Sequence, residues 1–198
     1  MKIVIFGLTI SSSWGNGHAT IWRGLLRELI RRGHEVTFFE RDLPYYAAHR
    51  DVEHLPGGTL HIYRTWPEAL PSISREVNRA DVALVSSYCP DAIEASEAIW
   101  SSDAVRVFYD LDTPVTISRL CEGETVPYLH PDGLSDFDLV LSFTGGPALD
   151  YLRHELGARN AVALYGSVDP RLHRPVLPNP RYTAHLSYLG TYSSDRQS

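Results

Sequence analysis

The chain has 198 residues, with 18 basic against 24 acidic side chains and a formal charge of −6. That length suits one substantial domain burying roughly 70% of the surface its unfolded chain exposes, and the acidic balance, with no basic run beyond Arg31-Arg32, argues against a nucleic-acid partner. Cys89 and Cys121, with no Cys-x-x-Cys and no histidines at ligand spacing, exclude a disulfide scaffold and a zinc framework and fit a reducing, cytoplasmic compartment.

The N-terminal apolar run, residues 2–9, has the length of a signal-peptide core. One positive charge, the lack of a small-x-small cleavage site and strand-like alternation instead make it a first strand. It enters a serine- and glycine-rich loop, residues 10–17, and then an amphipathic helix through Arg32 with Ile21, Leu25, Leu26, Leu29 and Ile30 on one stripe. Cationic residues in the last turn and Gly33 close that helix. A second apolar strand, residues 36–39, ends in Glu40, Arg41 and Asp42. Such a β-loop-α-β unit carries a helix start, with its unpaired N–H groups and positive dipole end, to the carboxyl edge of a sheet, where ligands bind in open α/β folds.

Further short apolar runs at 60–63, 82–85, 105–109, 139–143 and 161–165 read as buried strands. A helix from Asp91, with Glu94 in capping-box position, runs towards Trp100, and another from Pro147 carries Leu149, Leu152 and Leu156 to Gly157. Residues 110–138, punctuated by Pro114, Pro127 and Pro131, read as loops with a short helix. The alternation predicts an α/β fold: a doubly wound, mostly parallel, Rossmann-like sheet with helices on both faces. No apolar stretch approaches the ~20 residues of a membrane span. Residues 175–198 read as a proline-rich linker and the start of a second domain, after a first domain of residues 1–174.

Gly15-Asn16-Gly17-His18 with its helix, "RGHEVTFFERD" over 32–42, "LYGSVDPRLHRP" over 164–175 and "LSYLGTYSSDRQ" over 186–197 together resemble the N-terminal, acceptor-side domain of GT-B glycosyltransferases of the spore-maturation and family-4-like kind. The resemblance covers essentially the whole chain. It implies one half of a two-lobed enzyme that moves a sugar from a nucleotide-sugar donor, a co-substrate, to a hydroxyl acceptor. The donor half would come from a missing C-terminal domain or a partner chain. It also places a histidine base or acceptor contact at His18.

The residues themselves support several readings. An imidazole where the loop enters the helix can take a proton near neutral pH, or can simply be hydrogen-bonded locally. Gly15 and Gly17 allow positive φ and close backbone approach, with the N–H groups around Asn16 available to an anion. Trp14 suits stacking on a sugar or base, or plain packing. Asp110 and Asp112, after a strand, suit acceptor orientation, proton transfer, or a turn before Pro114. Their Asp-x-Asp spacing matches the metal motif of single-Rossmann glycosyltransferases, but Asp136 and Asp138 repeat it, so no metal is expected. Tyr88, Asp169 and the nest Thr144, Gly145, Gly146 are further cleft positions, although a turn accounts for Asp169-Pro170 equally well. Glu40 and Asp42 are where a nicotinamide enzyme would hold its ribose, which makes an NAD(P)-dependent oxidoreductase the rival enzyme class. A non-catalytic Rossmann-like binding module is the rival outside enzymes.

Overall fold

The computed structural model describes residues 1–187. Seven strands form one all-parallel sheet: β1 (Lys2–Gly7), β2 (Glu35–Arg41), β3 (Thr59–Tyr63), β4 (Val82–Ser86), β5 (Val105–Asp110), β6 (Leu139–Ser142) and β7 (Ala161–Ala163). Their order across the sheet is β3-β2-β1-β4-β5-β6-β7, every neighbour parallel. The order reverses between β1 and β4, so a crevice opens there at the carboxyl edge, the usual ligand position in doubly wound sheets. The α/β, Rossmann-like expectation therefore holds.

Helices cover both faces, as a parallel sheet requires. On one face Trp22 and Leu26 of α1 (His18–Arg31) bury against Ile5, Phe38 and Tyr109. On the other, Ile73 and Val77 of α3 (Trp66–Val77), Ile99 of α4 (Ala92–Trp100) and Leu152 of α6 (Pro147–His154) pack with Phe6, Phe108 and Phe137. The remaining helices are α2 (Pro44–Ala47) and α5 (Thr113–Cys121). Among the described residues no helix is long and apolar enough to cross a membrane.

One helix is new, and two local expectations are corrected. Helix α3 is an element that its prolines conceal: Pro67 sits in its first turn, Pro71 is tolerated inside, and Ala69, Ile73 and Val77 repeat at helical spacing on the buried side. Asp91 precedes α4 but makes no side-chain cap; its buried carboxylate instead accepts from Arg41 at 2.6 Å and from Tyr63 Oη at 2.8 Å. The first strand stops at Gly7 rather than at residue 9, because the chain beyond it is captured by Glu40.

That capture fixes the loop. Glu40 is 1% exposed. Its carboxylate accepts from Thr9 Oγ1 at 2.9 Å, Ile10 N at 2.7 Å, Ser11 N at 2.9 Å and Ser11 Oγ at 2.5 Å. Glu40 is the parallel-register partner of Gly7, so the donors lie just beyond the strand end. The expectation of a ribose-binding carboxylate at Glu40 gives way to a loop anchor: its oxygens are spent on backbone and hydroxyl groups of its own chain. Asp42 likewise pairs with Arg50 at 2.7 Å.

After β7 the chain turns back across α1. Leu164 O accepts from Tyr109 Oη at 2.7 Å, Asp169 is buried, and its carboxylate binds Arg27 of α1. The crossing is close at Gly24, where a Cβ would lie 3.2 Å from Asp169 N. Residues 175–179 are exposed and carry no regular structure, and the second-domain start expected within 175–198 falls partly on residues 188–198, outside the described residues.

Removing the Glu40 carboxylate strands buried donors, each costing about 1–3 kcal/mol when unpaired. Glu40→Ala is expected to lower unfolding free energy by about 3 kcal/mol or more in urea titrations, and Glu40→Gln, which keeps the shape and some acceptors, by less.

Candidate functional site

Three loops meet at the β1/β4 crevice. His18 is the first residue of α1, Tyr88 follows β4, and Asp112 is the N-cap residue of α5 after β5. His18 is 7% exposed. Its Nε2 stands 3.3 Å from Asp112 Oδ2, while its Nδ1 is buried with no hydrogen-bond partner. The Tyr88 ring meets the imidazole edge-on, centroids 5.5 Å apart, and stands 4.8 Å from the Tyr128 ring behind it.

Tyr88 has φ 62°, the one positive-φ residue other than glycine among those described. For a bulky side chain this conformation costs about 1–2 kcal/mol. Hydrogen bonds on both sides impose it: Ser87 N donates to Tyr109 O at 3.0 Å and Cys89 N to Ser86 O at 3.2 Å. Strain held by its surroundings at a crevice is a mark of functional sites. Burial, with the Asp112 charge nearby, pushes the Tyr88 phenol above its ordinary pKa, so it stays protonated.

The two aspartates do different work. Asp110 is fully buried; its Oδ1 accepts the Asp112 N–H at 3.0 Å, and its Oδ2 is buried without a partner. Burial raises its pKa. Asp112, with a side chain 43% exposed, is the carboxylate that reaches His18. Asp110 thus shapes the turn that aims Asp112. Leu111 N donates to Ser87 Oγ at 2.9 Å, which ties that turn to the one bearing Tyr88.

The glycine loop is more self-contained than expected. Asn16 Oδ1 accepts from Ala19 N at 3.1 Å, and its Nδ2 donates to Ser12 O and Trp14 O, both at 3.2 Å. One N–H that would meet an anion is therefore already occupied. Gly15 does adopt positive φ, 66°, but Gly17 sits at φ −89° and instead leaves open space where a Cβ would be. Trp14 stacks on His49.

Thr144, Gly145 and Gly146 form the turn after β6, as expected, with Gly146 at φ 66° starting α6. Ser142 Oγ bridges Thr144 O at 2.6 Å and Thr113 Oγ1 at 2.8 Å, so this turn supports α5. Thr113, Ser142 and Ser87 escaped sequence reasoning. Their only signal was a hydroxyl at or just after a strand end. Asp169 belongs with α1 rather than the crevice, and its Oδ1 accepts from Arg171 N at 2.9 Å.

A cavity of about 430 Å³ lies apart from this group, between α1 and residues 51–56, with Ile10, Leu55 and Leu60 in its wall. Among the described residues no three His, Cys, Asp or Glu side chains are placed to hold a metal ion. No family model matches the chain, and a search of curated proteins likewise finds no match.

Since the folded pKa of Asp110 is raised, the stability its neutral carboxyl contributes is complete below the ordinary carboxylate range and is lost as pH rises through the raised value. Asp110→Asn should therefore gain on the wild type as pH is taken from about 4 to 7. Urea midpoints of both proteins across that range check this, and a pH-independent difference would contradict it.

Proposed function

We propose that this domain forms the acceptor side of a GT-B-type glycosyltransferase, with His18 as the base for an acceptor hydroxyl. The single observation that carries the reading is a buried histidine held by a carboxylate at the sheet's switch point, with its second nitrogen unpartnered. The resemblance of the Gly15 to His18 loop to such enzymes agrees with it.

Transfer needs a more nucleophilic hydroxyl, an anomeric carbon within reach, and stabilisation of the departing nucleoside diphosphate. With Nε2–H donating to Asp112, the imidazole lone pair lies on Nδ1, which can accept the hydroxyl proton. Asp112 orients the ring and balances the imidazolium that forms. Nδ1 is buried, so the acceptor hydroxyl reaches it only when the crevice opens. The nucleotide-sugar donor is held by a second lobe facing this edge, supplied by further chain or by a partner.

Of the two acids on which the rival oxidoreductase reading rests, Glu40 is engaged with the loop and Asp42 with Arg50, which weighs against that reading. The test is release of nucleoside diphosphate and sugar transfer by the full product of the encoding gene, across a panel of nucleotide sugars and hydroxyl acceptors. His18→Ala is expected to lower kcat by about 100-fold or more, and Asp112→Asn by a smaller factor, with folding intact by circular dichroism. Tight NAD binding with no turnover of any nucleotide sugar would overturn the proposal, and unchanged kcat in His18→Ala would remove the base assignment.

A further inference from the structure

Beside the Gly15 turn lies an aromatic surface that the transfer step does not use. Trp14 stacks on His49 with centroids 4.5 Å apart and planes within 5°. Tyr45 of α2 stands 5.9 Å from the His49 ring and lays its hydroxyl against Gly15, where a Cβ would come within 2.6 Å of it. Trp14 and Tyr45 are each 55% exposed, although burying such rings is strongly favourable. Gly15 lies three residues before His18 in the chain, and Tyr45 belongs to the helix that follows β2, the neighbour of β1.

The rings are held in place. Ser12 Oγ donates to His49 O at 2.8 Å and Ser13 Oγ to Asp51 Oδ2 at 2.6 Å. Asp51 is gripped by Arg23, whose hydrogen bonds hold its carboxyl down at about 2, so it stays ionised. His49 Nδ1–H donates to Tyr45 O at 3.0 Å. In the neutral ring that leaves Nε2, on an exposed imidazole, as a hydrogen-bond acceptor.

We infer that the outer face of Trp14, backed by His49 and Tyr45, forms a stacking platform for a neutral pyranose ring of the acceptor, an inference that rests on the transfer reading of His18. A pyranose presents a face of C–H groups, which packs on an aromatic face, and an edge of hydroxyls, which suits the His49 Nε2 acceptor and the Tyr45 hydroxyl. The neighbouring cations Arg23 and Arg50 are both engaged by carboxylates, Asp51 and Asp42. That favours an uncharged glycoside over a phosphorylated sugar or a nucleotide, whose binding draws on free cations.

The experiment titrates the ¹⁵N-labelled chain with methyl glucoside, maltotriose, glucose 6-phosphate and p-cresol, following the indole resonances of its four tryptophans. The Trp14 signal is expected to shift and saturate with the neutral glycosides, most with maltotriose. Affinity should fall roughly tenfold in Trp14→Ala and recover in part in Trp14→Phe, both folded by circular dichroism. Three outcomes overturn the platform: no glycoside moves the Trp14 signal, p-cresol or glucose 6-phosphate alone does so, or Trp14→Ala binds glycosides as the wild type does. The last of these, in an enzyme that transfers sugar, leaves the His18 reading standing. Glycoside binding at Trp14 in a protein that transfers no sugar removes the His18 reading and keeps the platform.

Discussion

A buried carboxylate at the end of β2 holds the β1–α1 loop, and most of the crevice depends on that grip. Glu40 lies in register with Gly7 and takes up two backbone N–H groups and two hydroxyls from residues 9–11. Taking a carboxyl group out of water is costly and is tolerated when several donors compensate it. Without this contact the chain leaving β1 would have buried N–H groups and no strand to receive them. With it, the chain turns sharply, β1 ends at Gly7, and α1 begins with His18 against the β4 and β5 loops. The acid at the end of β2 thus acts on the crevice through the loop it holds.

The same economy governs the opposite wall. Asp110 presents no oxygen to solvent, yet by accepting the Asp112 N–H it sets the turn from which Asp112 reaches His18. Ser87 joins that turn to the β4 loop, and the β4 loop carries Tyr88 in a left-handed conformation against the imidazole. Two buried atoms there, His18 Nδ1 and Asp110 Oδ2, have no partner. Orphaned groups of this kind are rare in folded proteins. Their coincidence with a strained tyrosine sets this crevice apart from the cavity beside α1.

Much of the fold was legible because a buried parallel sheet writes itself as short, uninterrupted apolar runs, and seven of them stand in the sequence. The α1 stripe was legible in part: Leu26 is buried and Ile21, Leu25, Leu29 and Ile30 pack partly buried on the same core, but the fully buried Trp22 lies outside the stripe read from the sequence. Helix α3 was hidden by Pro67 and Pro71, which look like breakers when the local string is read alone. The site was legible at His18 and Asp112, but their contact spans 94 positions and no local pattern encodes it. Glu40 and Asp91 were misread for one reason: an acidic side chain at a strand end or helix start has a familiar local use, and here a distant donor claims it first. The conformation of Tyr88 has no sequence signal, because glycine or asparagine is the residue expected there.

The crossing of the post-β7 chain over α1 gives the molecule a mechanical property. Asp169 is clasped to Arg27 in the notch left by Gly24, about two turns along the helix that begins with His18. A pull on the exposed residues beyond Arg174 is therefore resisted first by this clasp and only afterwards by the edge strand. Tension arriving from that end is delivered to the histidine-bearing helix, while β7 is shielded from peeling off the sheet.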